Sequence, residues 1–397
     1  MIRAARSASI VAALALWAAT ARAQGNLSAQ GFGYPPGQLS TRALGMGGAL
    51  AEFDPQSMVN PQAVGAWGPA GLYFQYDPEF RSVSVGSQTA RTSTARFPVA
   101  AAALPLGARF ARGLSASTLL DRTWATQSTG LDTVFGSEVE VAERVRSEGA
   151  ITDLRFVGAF APSERLRVGI GVHAITGSNR LDLLDEFTPT ASGATGTLFQ
   201  PAGESRRVGY SGSALSAGLE WRPARALALA ASARRGSTLR AEAGDTLIAE
   251  ARVPHRLGAG LRFDGIKGAT IAARVNWEGW SSLEGLTPHE GLPVSDTFEY
   301  GVGADVAGPR IGSNSVMLRL GVRLRDLPFG VRADSGRSLP EVRDVRELGF
   351  AGGVGIPLAS NRAMVDLAVQ RAARSPSGRS DLEERAWTLS LGLRVRP

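Results

Sequence analysis

The chain has 397 residues, no cysteine and a formal net charge of +7, and its mean hydropathy is close to zero at −0.03. Without cysteine there is neither a disulfide framework nor a lipid-bearing N-terminal Cys, and beyond the leader no apolar run reaches the ~18 residues a spanning helix needs. Setting aside Arg3, Arg6 and Arg22 with that leader leaves 40 basic against 36 acidic residues, or +4; with no basic cluster interleaved with aromatics, nucleic acid is not an expected partner.

Arg3 and Arg6 precede a short apolar stretch from Ile10 to Ala19, and Ala21-Arg22-Ala23 is a small-x-small cleavage site before Gln24. Residues 1–23 therefore read as a secretory signal peptide. Residues 24–65 are Gly/Pro-rich, with Leu39-Ser-Thr-Arg-Ala-Leu-Gly-Met-Gly-Gly-Ala-Leu50, then Asp54-Pro55 and Asn60-Pro61. Three glycines in four residues and two X-Pro bonds predict compact turns and one short helix. Ahead of a barrel, such a segment either plugs the lumen or trails as a periplasmic tail.

From residue 66 onward the pattern changes to period-2 alternation, the mark of strands that switch environment at every residue. Leu166, Val168, Ile170 and Val172 alternate with Arg167, Gly169, Gly171 and His173. Leu257, Ala259, Leu261 and Phe263 alternate with Arg256, Gly258, Gly260 and Arg262. Ile271 to Trp277, Phe298 to Val306, Val316 to Leu324 and Trp387 to Val395 follow the same rule, and 212–221, 226–234, 347–356 and 363–370 are further candidates. Turn signals lie at Asp264-Gly265 with Lys267-Gly268, at Pro309 to Asn314 and at Ser360-Asn361, and the stretches 178–207 and 281–295 read as longer polar connections. A soluble sandwich or propeller would alternate too. Here, however, aromatics (Trp277, Tyr300, Trp387) stand near strand ends, as an interfacial girdle requires, and arginines recur at strand centres on the other face, as suits a wet lumen. The reading is an all-β transmembrane antiparallel β-barrel over 66–397, in the outer membrane of a Gram-negative-type bacterium, with outer-membrane lipid and the barrel-assembly machinery as partners.

Pro98 and Pro105 flank the apolar run Val99 to Leu104. Proline donates no ladder bond, so this strand is a candidate for a wall kink; the alternative is that the prolines end it. The lumen-facing Arg256, Arg262, Arg274, Arg319 and Arg323 either hold a ligand carboxylate through bidentate pairing or pair with Glu278, Glu299, Asp305 and Asp366 across the barrel. Asn60 and Pro61 fit turn structure better than ligand contact. An enzyme is not expected. His173, His255 and His289 are far apart in sequence, Gly209-Tyr-Ser-Gly212-Ser213 lacks the second glycine of a nucleophile elbow, and Gly45-Met-Gly47 runs on to Leu50, without the third glycine of a dinucleotide fingerprint. No His/Cys/carboxylate cluster has metal-ligand spacing, so no metal or cofactor is expected.

Ser40-Thr-Arg42-Ala-Leu-Gly45-Met-Gly47-Gly48-Ala resembles the amino-terminal start of the FadL-like outer-membrane transport family, which includes hydrocarbon-uptake barrels and a PorV-like branch. Asp54-Pro-Gln-Ser-Met-Val-Asn60-Pro61-Gln-Ala63 resembles its second element, with Gln62 inserted between the Pro and the Ala. Trp277-Glu-Gly-Trp280-Ser281 resembles its aromatic W-S strand end. The resemblance implies about fourteen strands, within the range of such barrels, and an N-terminal hatch over 24–65 inside the lumen. It further implies passive uptake of hydrophobic small molecules such as long-chain fatty acids, released sideways into the membrane through a gap in the wall. Its PorV-like branch implies instead a barrel that docks secreted proteins or secretion machinery and transports nothing.

Overall fold

The computed structural model describes residues 27–86, 88–134, 137–189, 200–287, 292–311, 314–331, 341–358, 362–378 and 381–396. The signal-peptide expectation and the turn at Ser360-Asn361 lie outside these residues. Seventeen hydrogen-bonded segments form one sheet, and six of them are halves of three interrupted strands, so fourteen strands cross. They are β1 (Gly71–Val85), β2 (Gln88–Arg96 and Val99–Leu106), β3 (Phe110–Asp121 and Trp124–Val134), β4 (Ser137–Ser163), β5 (Leu166–Pro189), β6 (Ala202–Ala224) and β7 (Leu227–Ala243). There follow β8 (Thr246–Arg252 and Arg256–Ile266), β9 (Ala269–Glu278), β10 (Thr297–Ile311), β11 (Asn314–Leu327), β12 (Val345–Leu358), β13 (Ala363–Pro376) and β14 (Leu382–Val395). Each pairs antiparallel with its neighbours, and β14 closes on β1 from Leu72↔Val395 to Val85↔Leu382. Closure removes the sheet edges that a membrane would not tolerate.

The alternation sorts as the pattern requires. On β11, Leu318, Leu320, Val322 and Leu324 are exposed, Leu320 by 72%, while Arg319, Arg323 and Arg325 on the other face are buried. The same division holds on β5, β8, β10 and β14. A belt of large aliphatic side chains turned outward around a closed wall, with charge turned inward, is a membrane-spanning surface. Among the described residues no helix is long and apolar enough to cross a membrane. Leu320→Arg places a charge in mid-belt and is expected to destabilise the barrel by about 2–4 kcal/mol, read from urea unfolding in lipid vesicles; an unchanged midpoint would mean this face does not meet lipid.

Turns at 107–109, 164–165, 225–226 and 267–268 lie at one rim, and the longest connections, 190–201, 279–296 and 328–344, leave from the other. One expectation needs correction. Residues 178–207 are not one long connection, because β5 continues to Pro189 and β6 resumes at Ala202. These extensions rise past the apolar belt into water, so neither face has to be apolar and the period-2 signal fades while the ladder continues. Asp264-Gly265 also stays within β8, and the turn is Lys267-Gly268 alone.

Residues 27–66 contribute only one short helix, α1 (Thr41–Gly45), and a 3-10 turn (Pro61–Ala66). The segment hydrogen-bonds to Glu384 of β14, Glu347 of β12, Ser117 of β3, Asp153 of β4, Ala231 of β7, Arg256 of β8, Arg274 of β9 and Asp305 of β10. A segment that touches strands on every side of a closed wall lies inside it.

Candidate functional site

The wall is interrupted where β2 breaks at Phe97-Pro98 and β3 breaks at Arg122-Thr123. On the short-turn side of these breaks β2 and β3 pair from Val99↔Ser117 to Leu106↔Phe110, and Thr118 N–H donates to the Pro98 carbonyl (3.0 Å). Beyond them Gln88–Arg96 pairs with β1 and Trp124–Val134 pairs with β4. Among the described residues no ladder joins these two halves to each other. Pro98 stands at the break, whereas Pro105 lies within the ladder opposite Ala111. Phe97 is turned out of the wall, 77% exposed.

At the break β3 bends inward. Leu119, Leu120, Asp121 and Arg122 are all buried, and Asp121 exchanges backbone hydrogen bonds with Tyr34 of the inner segment (2.8 and 2.9 Å) instead of with β2. Side chains span what the backbone leaves open, since Arg96 of β2 pairs with Asp121. Leu119 and Leu120 open onto an apolar cluster in the long-loop half of the lumen. Ile151, Ile175 and Leu239 supply it from the wall, Trp280 and Leu283 from the 279–296 connection, and Phe32 and Phe329 join it with ring centroids 4.7 Å apart. Trp280, part of the W-S element, is thus folded into the lumen.

Tyr34 closes the lumen side of the break. The guanidinium groups of Arg81, Arg96, Arg325 and Arg374 lie 4.6 to 5.2 Å from its ring centre. Glu79, Asp121, Glu347 and Glu384 pair with them, so four cations meet four anions around one neutral ring. Burial pushes the Tyr34 phenol above its ordinary value, so the hydroxyl keeps its proton and donates to Glu347 Oε2 (3.1 Å). Of these residues Arg325, one position past Leu324 and on the same strand face as Arg319 and Arg323, is the one that extends the alternation pattern. The Glu79-x-Arg81 spacing, two charges on one strand face, is the signal that points to the rest.

The inner segment is fixed by its own motif residues. Ser40 caps α1 by accepting from Ala43 N–H (3.0 Å), and its hydroxyl donates to Asp54, which also accepts from the Ser57 N–H (3.0 Å). Arg42 donates to Asp305 (3.0 Å). Gly47 and Gly48 have φ of 62° and 80°, a backbone that L side chains rarely adopt. Gly45 packs against Gly353 and Ala368. Asn60 accepts from Gln62 N–H (3.3 Å) and donates to the Ala231 carbonyl (3.1 Å), with Pro61 opening the 3-10 turn.

Each of the five nominated arginines is engaged by a carboxylate. Arg274 meets Glu299 (2.6 Å), Arg323 meets Glu299, Arg319 meets Asp366 (2.6 Å) and Asp305 (3.4 Å), and Arg262 meets Asp264 (2.9 Å). Arg256 lies 3.7 Å from Glu278, but its shorter contact is Glu52 of the inner segment (2.9 Å), which Arg274 shares (3.3 Å). Among the described residues no group of His, Cys, Asp and Glu is arranged to hold a metal.

No protein-family model and no curated protein matches the chain. Solved structures do. A Pseudomonas aeruginosa FadL homologue shares 14% identity at a TM-score of 0.56, over 90% of this chain and 98% of that one. The CymD monoaromatic hydrocarbon channel shares 15% at 0.55, over 90% and 97%. The Ralstonia pickettii toluene transporter TbuX shares 15% at 0.53, over 90% and 98%. At these identities the likeness is one of fold.

Proposed function

We propose that a barrel of this fold works here as an outer-membrane channel for passive uptake of hydrophobic compounds, long-chain fatty acids among them, and is not an enzyme. The observation that carries this reading is the unpaired stretch of wall between Gln88–Arg96 and Trp124–Val134, set beside the apolar cluster at Leu119 and Leu120. A water-filled pore needs no such break, since its solute leaves through the far mouth. A hydrophobic solute gains by leaving sideways into lipid, and a wall must interrupt its ladder to let it out. The similar solved barrels include a toluene transporter and a monoaromatic hydrocarbon channel by name, which supports the same class of cargo.

Residues 24–65 act, in this proposal, as a hatch. The short-turn rim faces the periplasm and the long-loop rim the outside, as is usual for such barrels. The PorV-like docking role calls for an open lumen, whereas residues 27–66 lie inside this one against strands on several sides, which supports uptake. Labelled-oleate and labelled-toluene uptake in a deletion strain tests the proposal. Both are expected to fall and to return with the gene, and unchanged uptake of both would sink the transport reading.

A further inference from the structure

On the lipid face of β1 to β4, the register sets side chains in rungs. One rung reads Val395, Leu72, Ala102, Leu114 and Phe156 across β14, β1, β2, β3 and β4. The next, away from the short-turn rim, reads Leu393, Phe74, Ala100, Ala116 and Leu154. The small Ala102, set between Leu72 and Leu114, leaves an apolar trough of about 510 Å³, walled by Leu72, Leu104, Leu114 and Phe156. That volume is in the range of ligand pockets, ~300–1,000 Å³.

The rung on the rim side of the trough carries Leu104, Arg112 and Gly158. Arg112 is exposed on this lipid face and borders the trough. It makes no hydrogen bond or ion pair with any described residue. No atom stands within 4 Å of where a Cβ on Gly158 would be, so the guanidinium has room to extend. Phe110 and Phe160, stacked with centroids 4.5 Å apart, lie between Arg112 and the rim. Such aromatics mark headgroup level, so Arg112 sits on the hydrocarbon side of it, where a cation without a counter-charge is disfavoured.

We propose that the trough and Arg112 form a binding site for an anionic phospholipid of the leaflet at the short-turn rim. One acyl chain lies in the trough and the lipid phosphate pairs with the guanidinium. A zwitterionic lipid brings no net charge to offset Arg112, which is why the proposal commits to an anionic one. The site rests on the wall's register and does not depend on what the channel carries.

Native mass spectrometry of the full-length barrel with phosphatidylglycerol and chain-matched phosphatidylcholine tests it. The wild type is expected to favour phosphatidylglycerol by about tenfold, the scale of one charge-assisted contact. Arg112→Gln should erase that preference, and Ala102→Leu, which fills the trough, should reduce both adducts. Heat-modifiability on gels establishes that each variant is folded, and either variant alone is sufficient. Persistent preference in folded Arg112→Gln, or full binding in Ala102→Leu, overturns the site. If Arg112→Gln abolishes oleate adducts and leaves phosphatidylglycerol untouched, the site takes a free carboxylate and the phospholipid assignment is wrong.

Discussion

Gly321→Leu is expected to make the lumen conduct ions. A Cβ at Gly321 would lie 2.1 Å from the carbonyl carbon of Met46, and one at Gly303 would lie 2.3 Å from the Met46 carbonyl oxygen. The Met46-Gly47-Gly48 turn therefore rests on bare backbone of β10 and β11, and neither side can give way as a flexible side chain would. The wall's own hydrogen bonds do not involve the Gly321 side, so the barrel closes while the turn is pushed off. Overpacking of this kind costs ~1–3 kcal/mol when the site can adjust, and here the adjustment available is departure of the segment. Single-channel recording in planar bilayers should show conductance for Gly321→Leu and none for Val322→Ala, a change on the lipid face of the same strand. A silent Gly321→Leu channel would mean that the segment does not seal the lumen.

Glu52→Gln is expected to loosen the same segment by removing charge without removing volume. Glu52 is fully buried and is shared by Arg256 and Arg274. Breaking a buried pair by deleting one partner typically costs 3–5 kcal/mol. Arg274 keeps Glu299 (2.6 Å) and Arg256 keeps Asn276 (2.6 Å), which places the expected loss near the lower end, about 3 kcal/mol. Limited proteolysis of the folded barrel should clip the segment of Glu52→Gln well before that of the wild type, with the urea midpoint of the wall little changed. Equal protection would show that the arginines need only their wall partners.

These two positions also show what sequence can and cannot carry. The facing of Arg256, Arg274, Arg319 and Arg323 is legible because strand parity is local. Glu52, the partner of Arg256 and Arg274, is not, since it comes from 204 and 222 residues away and only the closed wall brings it near. The break at Pro98 is legible for a chemical reason, the missing donor. Its counterpart at Arg122-Thr123 carries no proline and follows from the inward turn of β3 onto Tyr34, a tertiary pairing. The extent of β5 and β6 was obscured because their outer ends leave the apolar belt. Gly301, Gly303 and Gly321 resemble ordinary barrel glycines until the inner segment is seen lying against them.

The proposed exit through the wall is tested most directly by closing it. The chain has no cysteine, so Arg96→Cys with Asp121→Cys places two unique thiols across the break where the wild-type side chains pair. Labelled-oleate and labelled-toluene uptake is then followed in a deletion strain carrying this double variant, before and after a short bifunctional maleimide. Uptake is expected to proceed in the unreacted variant, to survive a monofunctional maleimide, and to stop once the two strands are joined. Undiminished uptake by the joined barrel would contradict lateral release between β2 and β3.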